Sequence, residues 1–157
     1  MHRLPRLLQR LDQLLPAPAV SAHCDGPCGV YDPASARIAA EAVLSMTRKL
    51  VDLDKPLASD EEGAANTYAR YVAIKEEQAQ LVKDELGILW SDYFKPEHLE
   101  SHPDLHTIFW TAIKTASDCK TSVDVDTAKR LLDEIEAIHH LFWATKGRDV
   151  AWVLANP

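Results

Sequence analysis

Nowhere does the sequence approach the roughly 18 consecutive apolar residues that a membrane helix requires, so no membrane partner is expected. Basic residues are in the minority, 17 Lys and Arg against 24 Asp and Glu with a net charge of -7, which excludes a broad basic face tracking a nucleic-acid backbone. Cysteine is scarce. The three, Cys24, Cys28 and Cys119, are odd in number and too few for a disulfide framework, which points to a reduced, cytoplasmic compartment. Strand-like alternation, internal repeats and low-complexity tracts are also missing. What remains is a 157-residue chain with 46% apolar content, enough for one domain with a continuous core.

The charge is unevenly placed. Residues 1–22 hold Arg3, Arg6 and Arg10 against Asp12, a sum of +2, so the remainder carries -9. This front end is basic and closes on the small residues Ala19, Ser21 and Ala22, as a secretory signal does. Arg6, Arg10 and Asp12, however, break every candidate for the ~7–15 uninterrupted apolar residues a signal needs. Leucines at 4, 7, 8, 11, 14 and 15 follow helical spacing up to Pro16, so a removable leader and a docking helix both fit.

Beyond it the periodicity is that of helices. Asp32 followed by Pro33 reads as an N-cap with proline at the first helical position. Ala39, Val43, Met46, Leu50 and Leu53 then repeat at steps of four and three until Pro56, giving a helix over 33–54. A second helix, from about 60 to 86 and extending towards Trp90, aligns Tyr68, Val72, Ala79, Val82, Leu86 and Leu89, with Lys75 as the one break. After a connector from Trp90 to Pro96, a third begins near Pro103 with Leu105, Phe109, Ala112, Ala116 and Cys119 in register. A fourth follows the turn at 122–126, with Leu131, Ile135, Ile138 and Phe142 on one side and Gly147 as its stop. The fold class is therefore all-α, an antiparallel four-helix bundle over 33–147, with a tail at 148–157. Such a bundle says nothing of function by itself.

Chemistry concentrates in the segment 23–33, His-Cys-Asp-Gly-Pro-Cys-Gly-Val-Tyr-Asp-Pro. It packs an imidazole and two thiols into six residues, with glycine and proline to bend the backbone. Taken alone, a Cys-x3-Cys pair also reads as a disulfide or an adventitious zinc site. The whole string is more specific. It resembles the nickel hook of the nickel superoxide dismutase family, His-Cys-Asp-x-Pro-Cys-Gly-x-Tyr-Asp-Pro, at every fixed position, and Trp90-Ser91-Asp92-Tyr93-Phe94-Lys95-Pro96 is similar to a second block of that family.

The resemblance implies a metal-binding hook at 23–32 exposed by removal of a propeptide, residues 1–22, through cleavage between Ala22 and His23 by a processing protease. It implies one nickel ion per subunit, with superoxide as substrate and a homohexamer as the assembly. The ligands would be the His23 α-amine and imidazole, the Cys24 backbone nitrogen, and the Cys24 and Cys28 thiolates. In the precursor the His23 nitrogen is an amide, so cleavage creates the amine donor. Thiolate and amidate donors favour nickel or copper over oxygen-loving magnesium or calcium, and they bring Ni(III) within reach. All must shed protons, so binding weakens at low pH. Tyr31 and Tyr93 match tyrosines that border the substrate pocket, and Asp25 matches a residue that orders the hook. Arg37 or Lys95 is a candidate to steer the superoxide anion towards an acidic protein.

Two positions depart from the family. A glutamate and an arginine that hold the axial imidazole correspond here to Ala39 and Gln78. Their joint loss keeps the local charge balanced and leaves water or Ser35 to substitute, so an active enzyme is expected, with a nickel-binding or storage protein that lost turnover as the alternative. His102 with His106, His139 with His140, and His98 have no third ligand at matching spacing and read as surface or packing residues. Cys119 reads as a buried thiol, and Trp90, Trp110 and Trp143 as core or contact fillers.

Overall fold

The structure is a computed structural model that describes residues 29–54 and 61–155. The chain divides after Val30, and the fold described here is that of the unit beginning at Tyr31. Five α-helices follow in order: α1 Ala34–Val51, α2 Glu61–Ile88, α3 Pro96–Ser101, α4 Leu105–Thr121 and α5 Val125–Thr145. No strand occurs among the described residues.

Helix α1 opens one residue later than Asp32-Pro33 suggests, but by the expected physics. The Asp32 carboxylate accepts from the Ala34 N–H at 2.8 Å, and the Pro33 carbonyl takes the Arg37 N–H. Helix α5 opens on Asp124, whose carboxylate accepts from the Asp126 and Thr127 N–H groups. A bond from the Thr127 hydroxyl, together with those two, holds the carboxyl below its usual range. It closes on Gly147, at φ +65, whose N–H reaches the Ala144 carbonyl while the Arg148 N–H reaches that of Trp143. This is a Schellman closure, and it needs a left-handed residue where glycine pays no Cβ penalty.

The four long helices form a closed ring in which α1 touches α2 and α5, and α4 touches α2 and α5. Pairing of Lys75 with Cys119 and of Trp90 with His106 shows that α2 and α4 run antiparallel. Thr115 with Glu134 and Asp118 with Arg130 show the same for α4 and α5. The core is the union of the apolar stripes: Ala39, Val43, Val82, Leu86, Phe109, Ala112, Leu131, Ile135, Ile138 and Phe142 are all essentially inaccessible.

Three features differ from the expected pattern. Lys75 does not interrupt the α2 stripe by facing water; it is buried, and its ammonium donates to the carbonyls of Cys119, Lys120 and Ser122. It thus closes the C-terminal end of α4, where carbonyls lack helical partners and the dipole favours a cation. Tyr68, placed on the same stripe by spacing, is exposed. The connector after Trp90 is structured: Leu89–Tyr93 form a π turn, with the Phe94 N–H bonded five residues back to Leu89, and α3 follows. Lys95 between them is extended, as the residue before proline must be.

Residues 148–155 are placed on the bundle without regular structure. Val150, Trp152 and Leu154 pack against the core. His139 donates from Nε2 to the Val150 carbonyl, its ring meets that of Trp152 at 5.3 Å, and the Ala155 N–H bonds Glu41 at 2.7 Å. Leu154 lines a small cleft of about 180 Å3 between α1 and α5.

Candidate functional site

His23, Cys24, Asp25 and Cys28 lie outside the described residues. The first described residue after them, Gly29, has φ +67, so the chain turns directly after Cys28 in a conformation that a side chain would strain. The donor set itself fits a thiolate- and nitrogen-preferring metal: one imidazole, two thiols and backbone nitrogens within six residues. Among the described residues no group of three or more His, Cys, Asp or Glu side chains is gathered to hold an ion.

The structure brings Tyr31 and Tyr93 together. They are 62 positions apart in sequence, and their ring centroids lie 5.6 Å apart at 55°. Tyr31 immediately precedes the Asp32 cap of α1. Tyr93 ends the π turn, whose wider winding shifts its side chain relative to an uninterrupted α2. The Tyr93 ring then sits in an aromatic cluster: His98 stacks on it at 5.7 Å and 14°, Phe94 meets it edge-on at 4.9 Å, and Phe142 of α5 lies at 4.6 Å. His98 is fixed in turn, its Nδ1 accepting from the Lys95 N–H at 3.0 Å.

Two residues at the end of α5 complete this environment, and spacing gave no sign of either. Thr145 places its Oγ1 2.6 Å from the Tyr93 hydroxyl. Lys146 holds its ammonium 5.2 Å from the Tyr93 centroid and 4.9 Å from that of Phe142, a cation over negative ring faces. It lies 53 residues from Tyr93, so only the antiparallel return of α5 could reveal the pair. Arg37, by contrast, is ion-paired to Glu41 and lies over the Trp152 ring, so much of its charge is already matched. Lys95 is exposed.

The departures Ala39 and Gln78 are both in ordinary helical positions. Ala39 is wholly buried on the core face of α1 and presents only a methyl group, Gln78 is half-buried on α2, and Ser35 is exposed. His139 and His140 meet edge-on with ring centroids 5.2 Å apart, and the histidines are otherwise engaged one by one. His106 accepts from Trp90 Nε1 at 2.9 Å, His139 is buried under the tail, and His140 faces Glu136 at 3.8 Å. Cys119 is a free, buried thiol. Trp143 is buried, whereas Trp90 and Trp110 are exposed. No helix among the described residues is long and apolar enough to cross a membrane.

Comparison with known proteins places these features. The sequence profile of the family described as nickel-containing superoxide dismutase matches residues 18–146. The chain is 46% identical over 140 residues to the nickel superoxide dismutase of Streptomyces seoulensis, covering 89% of this chain and 98% of that one. Against the enzyme of Streptomyces coelicolor the figure is 44% over the same coverage. Among solved structures, a nickel-containing superoxide dismutase with its nickel ligation in the oxidised state aligns with a TM-score of 0.71 at 45% identity, over 80% of this chain and all of that one. A native 1.30 Å nickel superoxide dismutase aligns with a TM-score of 0.70 at 42% identity and the same coverage.

Proposed function

The chain belongs to the nickel-containing superoxide dismutase family and is an enzyme of that type with a nickel cofactor, and from that premise we propose which of its residues carry the reaction and how the site is switched on. Residues 1–22 are a propeptide, removed by a processing protease between Ala22 and His23. The new His23 amine, its imidazole, the Cys24 amide nitrogen and the Cys24 and Cys28 thiolates hold one nickel per subunit. Support comes from the full match of the segment 23–33 to the family hook and from the left-handed turn at Gly29 within it, directly after Cys28.

When bound, the nickel supplies a one-electron change between Ni(II) and Ni(III), which thiolate and amidate donors bring into range. Two superoxide ions and two protons give one O2 and one H2O2, so the protein must admit a small anion and order the proton sources. Tyr31 and Tyr93 do the second as the catalytic pair, and their 5.6 Å ring contact is the single observation that carries this assignment. Asp25 orders the hook. Lys146, beside Tyr93, supplies the local positive potential for which Arg37 and Lys95 are the sequence candidates.

The enzyme works as a homohexamer in the cytoplasm. Exposed Trp90 and Trp110 offer apolar area for subunit contacts, and the low cysteine count with a reduced Cys119 suits that compartment.

Processed protein, uncleaved precursor and a Cys24→Ser variant, each offered nickel, test the reading by metal content and superoxide removal. Processed protein should bind about one equivalent and turn over, while the other two do neither. Equal turnover in the precursor would overturn the role of the His23 amine. Full occupancy without turnover in processed protein would favour nickel storage, the reading suggested by Ala39 and Gln78.

A further inference from the structure

The hydroxyl group of Thr145 has one proton, and the structure shows where it goes. Thr145 Oγ1 lies 2.6 Å from the backbone carbonyl of Phe142, one turn earlier in α5. A carbonyl can only accept, so the threonine proton is used there. The same Oγ1 lies 2.6 Å from the Tyr93 hydroxyl, and with no proton left it must be the acceptor in that bond. The phenol proton of Tyr93 therefore points at Thr145, and its lone pairs face the other way.

We propose that Thr145 is a positioning residue for the dismutation reaction, orienting the Tyr93 hydroxyl as a hydrogen-bond acceptor towards the substrate side. The proposal rests on the reading of Tyr93 as a pocket residue. With its own proton held by Thr145, Tyr93 orders a proton-bearing partner, a water or the Tyr31 hydroxyl, by accepting from it. The protons of H2O2 then come through that partner and not from the Tyr93 O–H. The location of Thr145 makes the orientation durable. It is the last residue of α5, just before the Schellman closure at Gly147, so both its backbone and the Phe142 carbonyl are fixed by helix geometry. The Tyr93 ring is held independently by His98 and Phe142, which leaves the hydroxyl torsion as the degree of freedom that Thr145 sets.

The test compares Thr145→Val, which keeps the shape and removes the acceptor, with Thr145→Ser, which keeps the hydroxyl. The first readout needs no nickel: the intensity ratio of the tyrosine Fermi doublet in ultraviolet resonance Raman spectra separates donor from acceptor phenols. The Tyr93 signal among the four tyrosines is isolated by subtracting Tyr93→Phe. Wild type and Thr145→Ser should report a donor, and Thr145→Val should lose that signature. In nickel-loaded processed protein, Thr145→Val should lose roughly threefold to tenfold in turnover, the effect of one oriented hydrogen bond, with Thr145→Ser near wild type. The loss should vanish in a Tyr93→Phe background. A wild-type signature of a Tyr93 phenol that accepts without donating, or equal behaviour of the valine and serine variants, overturns the role of Thr145 alone. Unchanged turnover in Tyr93→Phe overturns the reading of Tyr93, and the proposal with it.

Discussion

Lys75 and Cys119 show what a single residue settles in this bundle. By spacing, a lysine on an apolar stripe is an interruption; in the fold it is 2% exposed and is the cap of another helix. Its ammonium answers three carbonyls at the end of α4, so Lys75→Met should cost about 1–3 kcal/mol, the penalty for leaving buried acceptors unpaired. A lowered urea midpoint at unchanged slope would show it. Burial is also the main influence on Cys119, pushing its thiol from 9.0 up to about 11 against the opposing pull of Lys75. The folded protein then retains a proton that the unfolded chain releases. Stability from this group is complete below pH 9 and is lost as pH rises towards 11. Lys75 is shifted down, chiefly by desolvation, and so acts in the opposite direction over the alkaline range. The difference between wild type and Cys119→Ala isolates the thiol: unfolding free energies measured from pH 8 to 11 should fall more steeply in wild type, by on the order of 2 kcal/mol.

Among the elements, the four long helices were legible because each carries an amphipathic stripe long enough to define a period. α3 was not, since six residues make under two turns and none of them is buried. The π turn was equally hidden, because one wider winding leaves the surrounding composition unchanged. The tail is irregular and has no period to read, yet three of its apolar side chains reach the core. Trp152 is its centre, between the His139 ring and the Arg37 guanidinium. Trp152→Ala should therefore destabilise the protein by about 2 kcal/mol, the worth of a partly buried aromatic side chain, measured by thermal or denaturant unfolding. A change below roughly 0.5 kcal/mol, typical of surface positions, would mean that the tail only lies against the bundle.

For the whole molecule the governing quantity is charge. Residues 23–157 carry a net charge of -9, which repels superoxide at long range. A cation at the proposed site must work against that field, and Lys146, beside Tyr93, is the one we propose for it. Lys146→Gln should lower kcat/KM roughly threefold at low ionic strength, with the gap closing as salt shortens the screening length to about 8 Å near 0.15 M. A gap that persists unchanged in high salt would assign Lys146 to packing over the Tyr93, Phe142 and Trp143 rings instead.

The sequence by itself determined what is local or periodic: the four amphipathic stripes, the Asp32 cap, the Gly147 stop and the close spacing of the imidazole and thiols of His23, Cys24 and Cys28. Each depends on residues within a turn or a few positions of one another, where covalent spacing dictates what can meet. Only the tertiary structure decided that Tyr31 lies against Tyr93, that Thr145 and Lys146 close on the same ring, and that Lys75 ends α4. Those meetings join residues 44 to 62 positions apart. They follow from which helices lie antiparallel side by side, and no single segment encodes that.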